Sequence, residues 1–423
     1  MLKKFAGWLA LIVTAGLLLA FSVCFLLFPA LGIQLPFCLP SIQWGCPEEG
    51  ASASTSVGAI SSAPVQNTGE ETVPQAHPAD PLLEQMTLEE KVGQLFFARC
   101  PDTGALEEIQ LLHPAGYVLF GRDFEGQTPD SVHSTIASYQ QVSEIPLLIG
   151  VDEEGGSVVR VSRYEAFRRW PFQSPQELFE EDGSAAFVYD TAEKDRLLAD
   201  LGINVNLAPV CDVSTDTDDY MYDRTLGQDA EATAEYVRIT VEQMVHDNMG
   251  AVLKHFPGYG PNDNTHDGIA TDTRSLDSYY ASDFLPFQAG IAAGAGAVLV
   301  SHLIVECMDD RAPASLSAAV HDILRTALDF DGVVMTDDLS MEAIGAFAGD
   351  TDAAVLAIQA GNDLLISSDF ATQHQAVVDA VRNGVLTEAQ IDEHVRRVLD
   401  WKQSLGLLSF EDTTTQQDWE NAA

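Results

Sequence analysis

Between residues 95 and 367 the chain returns eight times to a short apolar run, and the intervals carry mostly amphipathic, helix-spaced patterns. The runs are Leu95–Ala98, Gly116–Phe120, Pro146–Asp152, Ile203–Pro209, Ala251–His255, Ala297–His302, Gly332–Asp337 and Asp363–Ser367. Asp229–Asp247 and Thr351–Gly361 are examples of the helical intervals. A strand that is apolar on both sides must be covered on both sides, which calls for a parallel sheet sheathed in helices. Eight such units in roughly 330 residues match an α/β fold of the (β/α)8 TIM type in number and size. A doubly wound open sheet is the alternative, but no dinucleotide-type glycine fingerprint follows the first strand.

The segments flanking this pattern have a different character. Lys3 and Lys4 precede an uncharged, mostly apolar run from Phe5 to about Ile33. That run is longer than the roughly 20 residues a membrane-spanning helix needs, and longer than the apolar part of a signal peptide. Residues 1–33 are therefore expected to form a signal anchor, a transmembrane helix that leaves the rest of the chain outside the membrane. A long cleaved signal peptide is the alternative, and either one exports the bulk of the chain. Residues 34–79 turn to Ser, Ala, Thr, Glu, Pro and Gly and read as a flexible linker. The folded domain spans 80–410, opens near a Thr87–Glu90 capping box and ends with a helix over Val395–Leu408. Residues 411–423 form a polar tail.

Charge narrows the partners. Lys and Arg total 21 against 64 Asp and Glu, a net charge of −43, which repels phosphate backbones and excludes nucleic acid as a partner. It also argues against electrostatic docking to anionic lipid, so membrane contact is expected through the N-terminal helix alone. The six cysteines include no CxxC pair and no zinc spacing with histidine. A disulfide between Cys38 and Cys46, just past the apolar segment, stays open.

In a (β/α)8 barrel the C-terminal strand ends share one face, and chemistry is built there. Reading the strand ends gives Asp152 with Glu153, Asp212, Lys254 with His255, His302, and Asp337 with Asp338. The fifth run is the most unusual. It passes from Ala251-Val252-Leu253 directly into Lys254-His255, then into Pro257-Gly258-Tyr259-Gly260 and a polar loop with Asn264-Thr265-His266. A buried ammonium is costly unless paired, so this end should face a polar cleft. Any one of these residues could be a cap or a salt-bridge partner; together they make a pocket suited to hydrolysing a neutral, polyhydroxylated ligand. The acidic run Asp212, Asp216, Asp218, Asp219 and Asp223 lacks EF-hand spacing and reads as a solvated rim loop. No HExxH or Gly-x-Ser-x-Gly pattern is present, and no metal or organic cofactor is expected.

Five segments in order, Val151–Arg160, Gly202–Val213, Asp223–Gly227, Lys254–Gly260 and Phe330–Met341, resemble glycoside hydrolase family 3, and within it the β-N-acetylglucosaminidase (NagZ-like) branch in its single-domain form. The resemblance covers about residues 80 to 408. It implies that Asp337, first of the pair in Thr336-Asp337-Asp338-Leu339-Ser340-Met341, is the nucleophile, with Asp338 as a structural acceptor. It makes His266 the acid/base on a mobile loop, and Asp152, Arg224, Lys254 and His255 substrate-binding groups; Arg160 is read as structural. The family's acid/base triplet begins with aspartate, whereas this chain has Asn264. An amide can orient an imidazole but cannot stabilise its cation by charge. Asp263 or Asp267 could substitute.

The resulting expectation is an exported, membrane-tethered retaining β-N-acetylglucosaminidase acting on cell-wall glycan. The alternatives are a family 3 β-glucosidase and a glycan-binding protein whose catalysis has decayed, the latter motivated by Asn264.

Overall fold

The computed structural model describes residues 77–262, 268–348 and 352–410. The expected membrane helix, nearly all of the linker, the polar tail, and the loop segment holding Asn264 and His266 lie outside the described residues. Among the described residues no helix is long and apolar enough to cross a membrane.

Ten strands follow in chain order: β1 Phe96–Arg99, β2 Gly116–Leu119, β3 Leu148–Val151, β4 Val205–Asn206, β5 Gly250–Phe256, β6 Thr271–Asp272, β7 Ala297–Val300, β8 Ile304–Val305, β9 Val333–Thr336 and β10 Leu365–Ser367. Eight of them form one parallel sheet in the order β10-β1-β2-β3-β4-β5-β7-β9. Met335 bridges to Leu364, and the Asp363 amide donates to the Val334 carbonyl at 2.8 Å, so β9 returns beside β10 and the ring nearly closes. This is the TIM-type barrel expected from the eight apolar runs. β6 and β8 pair separately, and their two-residue length gave no periodic signal to read.

The strands alternate between two apolar environments, as a two-residue side-chain period requires. Phe97, Val118, Leu148, Val252, Leu299, Met335 and Ile366 meet inside the barrel. Their neighbours Phe96, Tyr117, Ile149, Leu253, Val298, Val334 and Leu365 pack outward against helices. Each strand is shorter than its apolar run. In the fourth, Pro209 has no amide hydrogen to give a ladder, and regular pairing stops at Asn206.

Helix ends follow local chemistry. The Thr87 hydroxyl accepts from the Glu90 amide at 3.3 Å while Glu90 accepts from the Thr87 amide at 2.6 Å, completing the expected capping box. The closing helix runs Glu388–Ser404, starting seven residues earlier than Val395, because Thr387 and Gln390 form a second box of the same kind. Its Trp401 packs against Gly250 and Gly296 at the starts of β5 and β7, and a side chain at Gly296 would occupy the indole's place.

Pairing between β5 and β7 is interrupted between Leu253 and Phe256, so Lys254 and His255 stand at an irregularity in the ladder. Such breaks re-aim side chains and recur next to functional sites. Beyond it, Gly258 (φ +122°) and Gly260 (φ +56°) take conformations that suit glycine and press against Asp283 and Arg274. Arg274 is itself clamped by Asp272 (2.8 Å) and Asp283 (2.9 Å), which fixes the far stem of the loop that carries His266.

Candidate active site

Asp152, Arg224, Lys254, His255 and Asp337 line one cavity of about 700 Å3 at the C-terminal ends of the barrel strands. These five expected residues come from β3, the segment after β4, β5 and the end of β9, and the ring closure is what gathers them.

Lys254 is the electrostatic centre. Its Nζ lies 2.8 Å from Asp152 Oδ1 and 2.7 Å from Glu154 Oε1, with only 2% of the residue exposed. The Arg224 guanidinium grips the same Glu154 twice, Nη2 to Oε1 at 2.7 Å and Nε to Oε2 at 3.0 Å, the fork geometry that fits a carboxylate. Burial pushes the Glu154 carboxyl upward, but Lys254 and Arg224 overturn it and hold the group well below the ordinary range. For Lys254, burial favours the neutral amine, and Asp152 and Glu154 reverse this, so the ammonium persists above its usual range. Lys254 and Glu154 thus hold one another ionised against burial, with Arg224 as the second partner of Glu154.

His255 is oriented from behind. Its Nδ1 lies 2.8 Å from Asp212 Oδ2, and Asp212 Oδ1 accepts the Tyr259 amide at 2.7 Å. A carboxylate can only accept, so Nδ1 carries the hydrogen and Nε2, 3.4 Å from Arg224 Nη2, presents a lone pair. Asp212 is 1% exposed, whereas Asp216, Asp218 and Asp223 are exposed. The rim-loop reading therefore holds for those three and fails for Asp212, which the strand places inside.

The adjacent aspartates after β9 separate in role. Asp338 Oδ1 accepts from the Ser340 amide (2.9 Å) and hydroxyl (2.7 Å), and its Oδ2 accepts from the Ser368 hydroxyl. Its carbonyl lies 3.1 Å from His302 Nε2. The Asp338 carboxylate thus ties the β9 turn to the β10 turn. Asp337 Oδ1 accepts the Asp338 amide at 2.8 Å, which fixes its rotamer at the cavity wall.

Two strand-end readings change, and so does that of Arg160. Glu153 turns away from the cavity; it is fully buried and accepts the amides of Arg160 (2.8 Å), Val161 (2.8 Å) and Ser162 (3.2 Å). His302 is buried behind the wall, between Ser315 Oγ at 2.7 Å and Asp338. Arg160, read as structural, lines the cavity with Nη2 3.6 Å from Asp152 Oδ2. Glu154 was missed as a site residue, although residues two apart in extended chain share a face, and Asp152 already marked that face. Arg99 at the end of β1 was also missed; it ends a run whose helix-like flank hid the strand end.

Among the described residues one group, Glu90, His113 and Glu144, could offer three metal ligands within 4.8 Å of one another. They precede β1, β2 and β3, at the opposite end of the strands from the cavity.

Residues 87–401 match the model of the glycosyl hydrolase family 3 N-terminal domain. The chain is 33% identical over 324 residues to a beta-hexosaminidase of Xanthomonas campestris pv. campestris, spanning 74% of this chain and 95% of that protein. Among solved structures, a glycoside hydrolase family 3 beta-N-acetylglucosaminidase from Paenibacillus sp. str. FPU-7 superposes with a TM-score of 0.70 at 30% identity, over 78% of this chain and 66% of that longer one. M tuberculosis LpqI superposes with a TM-score of 0.70 at 28% identity, over 77% of this chain and 96% of the other.

Proposed function

Because the chain belongs to glycosyl hydrolase family 3, we propose that it is an exported, retaining β-N-acetylglucosaminidase that removes terminal β-linked N-acetylglucosamine from peptidoglycan-type glycans. The observation that carries the reading is that Asp337 stands on the same cavity wall as the hydroxyl-binding set of Asp152, Arg224, Lys254 and His255. Relatives named beta-hexosaminidase and beta-N-acetylglucosaminidase support the choice of sugar.

In this reading Asp152 accepts hydrogen bonds from sugar hydroxyls, while Lys254 and Arg224 donate to their oxygens and His255 Nε2 accepts. The rigid clamp holds the ring so that Asp337 can reach the anomeric carbon. The Asp337 carboxylate forms the C–O bond as the glycosidic bond breaks, and His266 gives its proton to the departing oxygen. The neutral imidazole then takes a proton from water, whose oxygen displaces Asp337 and restores both groups. Two inversions give retention. The charged groups of the clamp balance one another, which suits a neutral sugar ring.

Asn264 beside His266 favours a second reading, a glycan binder with weakened acid catalysis. A family 3 β-glucosidase is the other rival, and its branch takes the acid from elsewhere. A panel of aryl glycosides separates the three. The preferred reading expects turnover of the N-acetyl-β-glucosaminide; rapid turnover of the glucoside with none of the N-acetyl sugar contradicts it, and glycan binding without either activity favours the binder. Export through residues 1–33 expects protease added to intact cells to digest the catalytic domain; protection of that domain would place it inside.

A further inference from the structure

At the N-terminal ends of the strands, away from the active-site cavity, three units of the barrel bring one chelating side chain each to a common point. Glu90 comes from the helix Leu88–Gly93 before β1, His113 from the C-cap of the helix Ala105–Leu112 before β2, and Glu144 from the turn after the helix Pro129–Val142 before β3. All three line a cleft of about 280 Å3, and each offers a ring nitrogen or carboxylate oxygen within 4.8 Å of the other two. No sequence motif marks the group, because its members belong to three separate units of the chain.

The two carboxylates create a demand for positive charge. Among the described residues neither Glu90 nor Glu144 is ion-paired to a lysine or arginine, and no hydrogen bond or ion pair joins the His113 ring to either of them. Like charges this close repel, and a divalent ion between them balances both. Two of the three groups are already positioned. Glu90 Oε2 accepts the Thr87 amide at 2.6 Å and its hydroxyl at 2.9 Å, which leaves Oε1 for an ion. The His113 backbone is left-handed (φ +50°), and Gln94 Nε2 fixes its carbonyl at 2.8 Å. Gln94 is held in turn by buried Lys402, whose Nζ donates to Oε1 at 2.7 Å. Outer contacts of this kind orient the ligands of metal sites. Glu144 is exposed and has room to turn. Tetrahedral ligands stand about 3.3 Å apart around an ion with bonds of about 2.0 Å, so movements of roughly 1 Å close the set.

We propose that Glu90, His113 and Glu144 bind one Zn2+ ion, with water completing its coordination, and that the ion braces the first three units of the barrel. An imidazole among the ligands favours zinc over calcium and magnesium, which prefer oxygen alone. The site lies on the face where such barrels build stability, so the ion acts on the fold and takes no part in the chemistry at the other end. The brace stands whether or not the enzyme is a glycosidase.

The full chain, stripped with a chelator and exchanged into metal-free buffer, is titrated with zinc chloride against a chromophoric zinc competitor. Melting is followed in parallel by circular dichroism. Wild type should take up one zinc equivalent that His113→Ala lacks. Saturating zinc should raise the melting temperature of wild type by several degrees and leave that of His113→Ala unmoved. Glu144→Gln, a change at an exposed side chain, should weaken the same equivalent by about ten-fold or more. Zinc taken up equally by wild type and both variants lies elsewhere, the active-site histidines included, and overturns the site. A wild-type melting temperature that zinc leaves unmoved overturns the brace. So does one that calcium raises as much as zinc, since that is relief of acidic repulsion without ligation by the imidazole. Should His113→Ala fail to fold, Glu144→Gln decides alone, and a zinc affinity equal to wild type overturns the site.

Discussion

Glu154 does more for the site than its place after two other acidic residues suggests. It is the shared counter-charge of Lys254 and Arg224, and removing its charge leaves two buried cations competing for Asp152. Breaking a buried pair from one side costs roughly 3–5 kcal/mol. Glu154→Gln is therefore expected to lower the melting temperature by several degrees at neutral pH and to reduce kcat/KM by about 100-fold, through a misplaced clamp. The pH dependence has a definite sign. The folded carboxyl titrates below its ordinary 4.5, so its stabilisation is present above that value and is lost as pH falls toward the folded pKa. The stability gap between wild type and Glu154→Gln should be full at pH 6–7 and shrink below pH 4.5, as paired melting curves would show. A gap that widened with acid would refute the assignment. The residue scale is also where the sequence spoke least clearly. Asp338 beside Asp337, and Glu153 beside Glu154, differ only in which way a turn points them, and that is decided by Ser340, Ser368 and the amides of 160–162. Asp212 looked like one of a run of loop acids; its burial depends on a β4–β5 contact distant in sequence, where the Cys211 amide donates to the Lys254 carbonyl at 2.6 Å.

At the scale of elements, the apolar strand runs were legible because each strand packs on both faces and so carries no polar alternation. The closing helix was legible in type but not in start, since its first two turns are polar and only the Thr387 cap marks them. It buries Ile391, Val395, Val398 and Leu399 along with Trp401, which fills the space left by Gly250 and Gly296. Trp401→Ala should cost about 3–5 kcal/mol, read from urea unfolding, because the cavity it leaves is framed by strands that cannot collapse. A loss below ~1 kcal/mol would mean that neighbouring side chains fill the space. The loop after β5 makes a separate prediction. Its near stem is held by Asp212 on Tyr259 and its far stem by Arg274, so a change between them acts on the histidine and leaves the barrel alone. Asn264→Asp should place a charge beside His266, raise its pKa and move the alkaline limb of the kcat/KM profile upward, with the largest gain on poor leaving groups. An unchanged profile would assign the partner role to Asp263 or Asp267.

At the scale of the whole molecule, the acidic surface and the active site obey different rules. The chain carries a net charge of −43, while the cavity concentrates Lys254, Arg224, Arg160 and Arg99. The barrel brings together residues more than 180 positions apart, Asp152 and Asp337 among them, and this convergence underlies the proposal of a glycosidase with Asp337 as its nucleophile. Trapping tests that claim most directly. The intact chain is incubated with a 5-fluoro N-acetylglucosaminyl fluoride, and the peptide carrying the sugar is mapped by mass spectrometry. The account predicts a single covalent adduct on Asp337, absent from Asp337→Asn. An adduct on Asp338, or turnover of the N-acetyl-β-glucosaminide with no covalent adduct at all, would contradict it.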